Sequence, residues 1–148
     1  MDNQDFFKLH GALTLTLFKA DGTIDVTHKD NIIVNAGFDL ICDALGAVSR
    51  PASIAYIGVG TGVVAAAVAD TALGTQTLRQ AATYAHTAGT KVFTMTTTFA
   101  AGAATAALTE AGVFNAASAG TMLDRVIFPV INKGAADTLQ AVFTFTLS

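Results

Sequence analysis

The sequence predicts a mainly β protein, an antiparallel β-sandwich or jelly roll with one short α-helix. Several short segments alternate apolar and polar side chains with a period of two, which is the pattern of half-buried strands. Turns rich in Gly, Asn and Ala separate these segments, and a single segment has helical periodicity, whereas an α/β fold would need several helices. A chain of 148 residues is long enough to bury one core, so we expect one domain.

The first strand is predicted over residues 12–19, where strict alternation places three leucines on one face: Leu13, Leu15 and Leu17. Asp21-Gly22 is typical of a hairpin turn and leads to a second predicted strand over 23–29. Residues 1–11 precede the alternation and form a predicted N-terminal arm, which leaves 12–148 as the sandwich domain.

The period then changes and predicts a helix over residues 36–45. Its apolar side chains recur at helical spacing: Phe38, Ile41, Cys42 and Leu45. Asn35 is placed to cap this helix and Gly46 to end it. We expect the apolar face to pack on the sandwich, which would make Cys42 a buried and unreactive thiol.

The alternation of apolar and polar residues is weaker in the middle of the chain than in its second half. A short strand over 54–59 ends in a glycine-rich run, and residues 63–77 form an irregular or partly helical excursion. A weak strand over 78–86 follows it. The second half of the chain alternates more cleanly and predicts strands at 91–99, 107–114, 121–130 and 138–147.

Threonine occupies one face of two of these predicted strands, at Thr94, Thr96, Thr98, Thr144 and Thr146. Such faces are either solvent faces or flat polar surfaces that dock on other subunits. Threonine ladders also occur in ice-binding proteins, but these require a regular repeat, which this sequence lacks.

The run Gly58-Val59-Gly60-Thr61-Gly62 imitates the start of a dinucleotide-binding fingerprint. The match fails because Val63 stands where the third glycine belongs, and no acidic residue follows at the required distance. A strained turn in which glycine supplies a positive φ is therefore the preferred interpretation.

Composition excludes several function classes. Charged residues make up 13% of the chain, the formal net charge is −3 and Lys and Arg do not cluster, so nucleic acid is not an expected partner. No apolar run is long enough to span a membrane, and the acidic start lacks the order of a signal peptide, so we expect synthesis in a cytoplasm. One cysteine excludes an intrachain disulfide.

A mean hydropathy of +0.53 without a membrane span predicts that much of the surface is buried against other chains.

No catalytic residue, cofactor or metal site is expected. Glu110 is the only glutamate and no second acid lies near it in sequence, so paired catalytic carboxylates are unsupported. The histidines His10, His28 and His86 lack the spacing of metal ligands. Glu110 and Arg125 lie on strands that we expect to be hairpin neighbours, where they would form a structural or interface ion pair.

The order of several segments is similar to a group of small virion proteins of tailed bacteriophages, known as capsid cement (decoration) proteins or tail-fibre-like proteins. The segments are 31–37, 54–62, 70–74 with Arg79, 108–115 and 121–126. The similarity runs over residues 30–148 and consists of turn and strand motifs. It implies a β-sandwich or jelly-roll accessory protein that binds the assembled major capsid protein as an oligomer, a homodimer or homotrimer.

The expected function is therefore that of a capsid cement protein on the virion surface, assembled in the host cytoplasm. A tail, baseplate or tail-fibre component is the alternative, and a small-ligand-binding β-sandwich is the second alternative. Low charge and many small residues permit close approach between chains. The expected capsid or subunit contacts are apolar residues of the arm and of the segment 61–77: Phe6, Phe7, Val63, Val64 and Val68.

Overall fold

A computed structural model describes residues 7–148. Within that range the chain forms ten strands and one helix. In chain order they are β1 Leu9–Phe18, β2 Ile24–Asp30, β3 Ile32–Ile33, α1 Asn35–Gly46, β4 Tyr56–Gly60, β5 Gln76–Ala81, β6 Thr83–His86, β7 Val92–Phe99, β8 Ala106–Phe114, β9 Met122–Lys133 and β10 Thr138–Leu147.

The strands form two five-stranded sheets in which every pairing is antiparallel. The first sheet has the order β2-β1-β10-β7-β6, and the second has the order β3-β9-β8-β4-β5. The prediction of a mainly β sandwich with one short helix is confirmed. The predicted turn at Asp21-Gly22 joins β1 to β2, and Gly22 has a φ of 86° that favours glycine.

The core lies between the sheets because the inward faces of both are apolar. Alternate residues of β1 and β10 are buried, as their period of two predicts. Complete burial of one such large apolar side chain contributes about 1.5–3 kcal/mol to stability. The largest of the fully buried apolar side chains in this core include Phe99, Phe143, Phe145, Leu13, Leu15 and Ile57.

Several element bounds differ from the predicted ones, and two of these differences have a tertiary reason. β1 begins at Leu9, inside the predicted arm, because its first residues pair with the end of β10. The weak strand over 78–86 is interrupted at Ala82, whose N–H donates to the carbonyl of Ala55. This break sends β5 to the second sheet and β6 to the first.

The predicted inward face of the helix is wrong at three of its four residues; only Ile41 is half-buried and packs against the core. Phe38, Cys42 and Leu45 are exposed, whereas Gly37 and Leu40 are buried. The reason lies at Gly37, where the helix meets the backbone of β9 so closely that a Cβ would collide with the carbonyl of Leu123. This contact places Gly37 on the inward side of the helix, and Cys42 is exposed instead of being the buried thiol that the sequence predicts.

The start of the helix also differs from its prediction. Val34 is the N-cap residue, and no side chain makes a capping hydrogen bond. Asn35 lies one residue inside the helix and donates its backbone N–H to the carbonyl of Val68. Fully buried Val34 holds the chain at this point by packing with Leu73 in a second apolar cluster. Helix α1 is too short to cross a membrane, and it is the only helix in the described part of the chain.

Residues 61–75 have no regular structure and lie across the outer face of the second sheet; they are called the 61–75 loop below. Leu73 of this loop packs on Phe114 and Met122 from β8 and β9. The loop therefore covers a sheet face that would otherwise be open to solvent.

Candidate functional site

The candidate site is a buried charge cluster between the second sheet and the 61–75 loop. Glu110 pairs with Ile127 and Gly112 pairs with Arg125 in the register of β8 and β9. Glu110 and Arg125 are therefore diagonal neighbours on one face, the face turned away from the core. The structure brings the two predicted partners together, with Nη2 of Arg125 2.9 Å and Nε 3.1 Å from Oε2 of Glu110.

Glu110 holds both ends of the loop through backbone hydrogen bonds. Its Oε1 accepts from the N–H of Gly62 at 2.9 Å and from the N–H of Thr75 at 2.7 Å. Its Oε2 accepts from the N–H of Gly74 at 2.8 Å. Thr109, the preceding residue, donates its hydroxyl to the carbonyl of Gly62 at 2.7 Å. One fully buried carboxylate thus closes the loop.

Arg125 holds the middle of the loop. Its Nη1 donates to Oδ2 of Asp70 at 2.7 Å and to the carbonyl of Ala65 at 3.4 Å. Its Nη2 donates to the carbonyl of Val64 at 3.0 Å as well as to Glu110. Every N–H of the guanidinium therefore has an acceptor. Asp70 was not expected in the cluster, because it is remote from both partners in sequence and no local pattern links them.

The surroundings of all three groups shift their pKa values toward the charged forms. Burial favours a raised pKa for Glu110, but the N–H groups of Thr75 and Gly74 and the guanidinium of Arg125 hold it below its ordinary value. The N–H of Ala67 lowers the pKa of Asp70, and Arg125 lowers it further. Burial opposes the charge of Arg125, but the two carboxylates raise its pKa.

The glycine-rich run serves this cluster by leaving space. A Cβ on Gly62 would lie 2.5 Å from Oε1 of Glu110, and a Cβ on Gly60 would collide with the carbonyl of Thr75. Neither glycine has a positive φ, so the predicted strained turn is wrong. Glycine is needed at both positions because other groups approach too closely for a side chain to fit. A carboxylate approaches Gly62, and a second segment of backbone approaches Gly60.

On its outer side the loop exposes three of the predicted contact residues. Val63 is 75% exposed, Val64 is 73% exposed and Val68 is 54% exposed. Phe7 is also exposed, but it borders a different surface, and Phe6 lies outside the described residues. The charge cluster therefore presents a short apolar segment to solvent from a fixed backbone.

Arg79 is a structural residue whose role sequence analysis missed. Its guanidinium lies 3.5 Å from the centroid of the Phe114 ring and donates to the carbonyls of Ala116 and Ala119. These contacts hold the 115–121 turn against β5. The cation–π contact could not be anticipated, because nothing in the sequence places these residues side by side.

The remaining candidate groups do not form a site. His10 lies near Asp30, His28 contacts Thr14, and a ring nitrogen of His86 lies 2.7 Å from the carbonyl of Val92. The three imidazoles are exposed. Among residues 7–148, no three His, Cys, Asp or Glu side chains come together as metal ligands would.

A second buried carboxylate lies on the inner face of the second sheet. Oδ1 of Asp124 accepts from the N–H of Val113 at 2.9 Å, and Oδ2 accepts from the side-chain amide of Asn31. Oδ1 of Asn31 is buried and has no hydrogen-bond partner among the described residues. Burial raises the pKa of Asp124 to about 7, against the effect of these two hydrogen bonds.

An apolar pocket of about 600 Å³ opens between α1, residues 50–54 and the end of the first sheet. Its walls include Leu9, Leu40, Ile41, Pro51, Tyr84 and Phe93. Leu45 of α1 also borders this pocket, although it is an exposed residue.

No protein-family model, curated protein or solved structure matches this chain.

Proposed function

We propose that this protein is a structural virion protein without enzymatic activity, a capsid cement protein that binds the assembled major capsid shell of a tailed bacteriophage. The observation that carries the proposal is the charge cluster that fixes the 61–75 loop with its valines outward. The similarity of residues 30–148 to small phage virion proteins supports the same function.

A loop that is already held in place can bind a partner at a low entropic cost. A mobile loop loses conformational entropy when it docks, whereas a loop already fixed at both ends and in the middle loses little. Exposed Val63, Val64 and Val68 can then transfer apolar surface out of water without that cost. Glu110 and Arg125 have their hydrogen-bonding capacity taken up by the loop, which suits a holding role better than chemistry.

A protein that binds only the assembled shell stabilises that state by mass action. Repeated contacts across subunit seams would make the shell harder to open, even when each contact is modest. A contact formed mainly by valines should depend weakly on salt, because few charges take part.

The test mixes the purified full-length protein with bare expanded capsids and measures the bound protein by sedimentation. Val64→Asp should abolish binding, since it places a charge in the contact, without lowering the melting temperature. Val48→Asp makes the same change at a fully exposed valine after the helix and should bind normally. Equal binding of both variants, or failure of the wild type to bind, would refute the proposal. Co-purification with tails instead of capsids would favour the tail component.

The apolar pocket favours a second candidate function, binding of a small apolar ligand. Its volume lies within the range of about 300–1,000 Å³ that is usual for ligand sites. A fluorescent apolar probe should bind the wild type and be excluded by Ala44→Trp, which fills the pocket from the helix. Absence of saturable probe binding would eliminate this candidate.

A further inference from the structure

We propose that the outer face of the first sheet is a homodimer interface that packs against the same face of a second copy. This face consists of the outward residues of all five strands. Its three middle strands present threonines on this face, among them Thr14, Thr16, Thr94, Thr96, Thr144 and Thr146.

The register makes this a continuous surface. Thr144 of the central strand lies opposite Thr94 on one side and Ala12 on the other. In the next row Val142 lies between Thr14 and Thr96, and Thr96 in turn pairs with Thr83 of the edge strand. Which residues share a row could not be inferred from the sequence, because each row combines residues from different parts of the chain.

The charge pattern favours a second copy as the occupant. In a two-fold interface the same patch of each copy meets. A charged side chain near the axis would therefore face the same charge on the second copy. Within the described strands this face carries no Lys, Arg or Glu, and its one carboxylate, Asp30, lies at the edge beside His10. Threonine hydroxyls both donate and accept hydrogen bonds, so a threonine face can bond to its own copy.

One corner of the face is apolar and exposed. Ile24 and Phe18 are paired in register, and Val26 lies next to them opposite Thr16. All three apolar side chains are exposed, to 56%, 40% and 53% respectively. A neighbouring copy would remove this surface from water.

The area is sufficient for a stable contact. Five strands at the usual spacing, with the mean length of about eight residues that they have here, give a face of about 600 Å² per copy. This corresponds to about 1,200 Å² buried in total, the lower end of specific interfaces. The 61–75 loop lies on the opposite side of the sandwich and stays accessible in such a dimer. The inference therefore does not depend on the proposed capsid binding.

The experiment is sedimentation equilibrium of the full chain over a micromolar concentration series. The wild type should dimerise, and Thr144→Lys should weaken the dimer on the order of 100-fold, because like charges meet across it. Thr105→Lys adds the same charge at an exposed loop position and should leave the dimer intact. Melting curves of both variants must match the wild type for the comparison to count as support.

A second measurement uses thiols in a Cys42→Ser background. Packed sheets lie about 10 Å apart, so a bis-maleimide of that reach should cross-link Thr144→Cys between copies and not Thr105→Cys.

A monomeric wild type, equal dimerisation of both Lys variants, or equal cross-linking of both Cys variants would refute the interface. A monomer that binds capsids would refute the dimer alone, and a dimer that does not bind them would refute the proposed function alone.

Discussion

The N–H of Gly62 donates to Oε1 of Glu110 at 2.9 Å, and the same oxygen leaves no room for a side chain on that glycine. The hydrogen bond depends on the absence of a Cβ, because the backbone at position 62 can approach the buried carboxylate this closely only without a side chain. The 61–75 loop therefore depends on the glycine as much as on the charge.

Gly62→Ala should destabilise the fold by about 1–3 kcal/mol, because either the carboxylate or the loop must move and a buried hydrogen bond is weakened. Urea unfolding measures this loss, and limited proteolysis should show earlier cleavage within residues 61–75. Gly46→Ala is the matched control, because a Cβ there meets nothing within 4 Å. An unchanged unfolding midpoint for Gly62→Ala would contradict the proposed arrangement.

Glu110→Gln should cost about 3–5 kcal/mol at neutral pH, since it removes one partner of a buried ion pair and leaves Arg125 with Asp70 alone. The side-chain amide also replaces an acceptor with a donor that faces the N–H groups of the loop. Asp39→Asn neutralises an exposed carboxylate and should change stability little. Chemical denaturation measures the free energy of unfolding of both variants. Equal unfolding midpoints would mean that the ion pair does not stabilise the fold.

Asp124 should make the protein less stable as the pH rises. Its pKa of about 7 in the folded state exceeds the ordinary value of 3.8 for an aspartate, so the folded state binds the proton more tightly than the unfolded state. The stabilisation is complete below pH 3.8 and is lost as the pH rises through 7. Between pH 5 and pH 8 we expect a loss of about 3 kcal/mol from this group.

Asp124→Asn is the variant that isolates this effect. An amide keeps an acceptor for the N–H of Val113. Its NH₂ can donate to Oδ1 of Asn31 after the Asn31 amide turns over, since the NH₂ of Asn31 faces Oδ2 of Asp124 in the wild type. The difference in unfolding free energy between variant and wild type should grow in favour of the variant from pH 5 to pH 8. A difference that stays constant over this range would show that Asp124 does not titrate there.

The orientation of the helix predicts opposite results for two leucines. Leu40→Ala should cost about 2–5 kcal/mol, because Leu40 is buried against the sandwich. Leu45→Ala should be nearly neutral, because Leu45 is 76% exposed. Thermal melting of the two variants measures both effects, and a larger loss for Leu45→Ala would restore the helix face predicted from the sequence.

Most strands can be predicted from the sequence because alternation within one strand is a local property. The strand over 138–147 was predicted with the observed bounds, and the hairpin at Asp21-Gly22 forms as expected. The break at Ala82 was missed, since it depends on a hydrogen bond to Ala55 and on which sheet each half joins. Glu110 and Arg125 could be paired because both lie on adjacent strands, whereas Asp70 reaches them only through the fold of the loop.

The sequence by itself determined the fold class of this protein, because backbone geometry places successive side chains of any strand on opposite faces. Only the tertiary structure decided which stripe of the helix is inward, since close contact between Gly37 and β9 outweighs the apolar spacing of the helix. The tertiary structure also decided which backbone groups of the 61–75 loop bond to Glu110 and which threonines share one surface. These outcomes join residues that are distant along the chain, and no local pattern records how such segments pack.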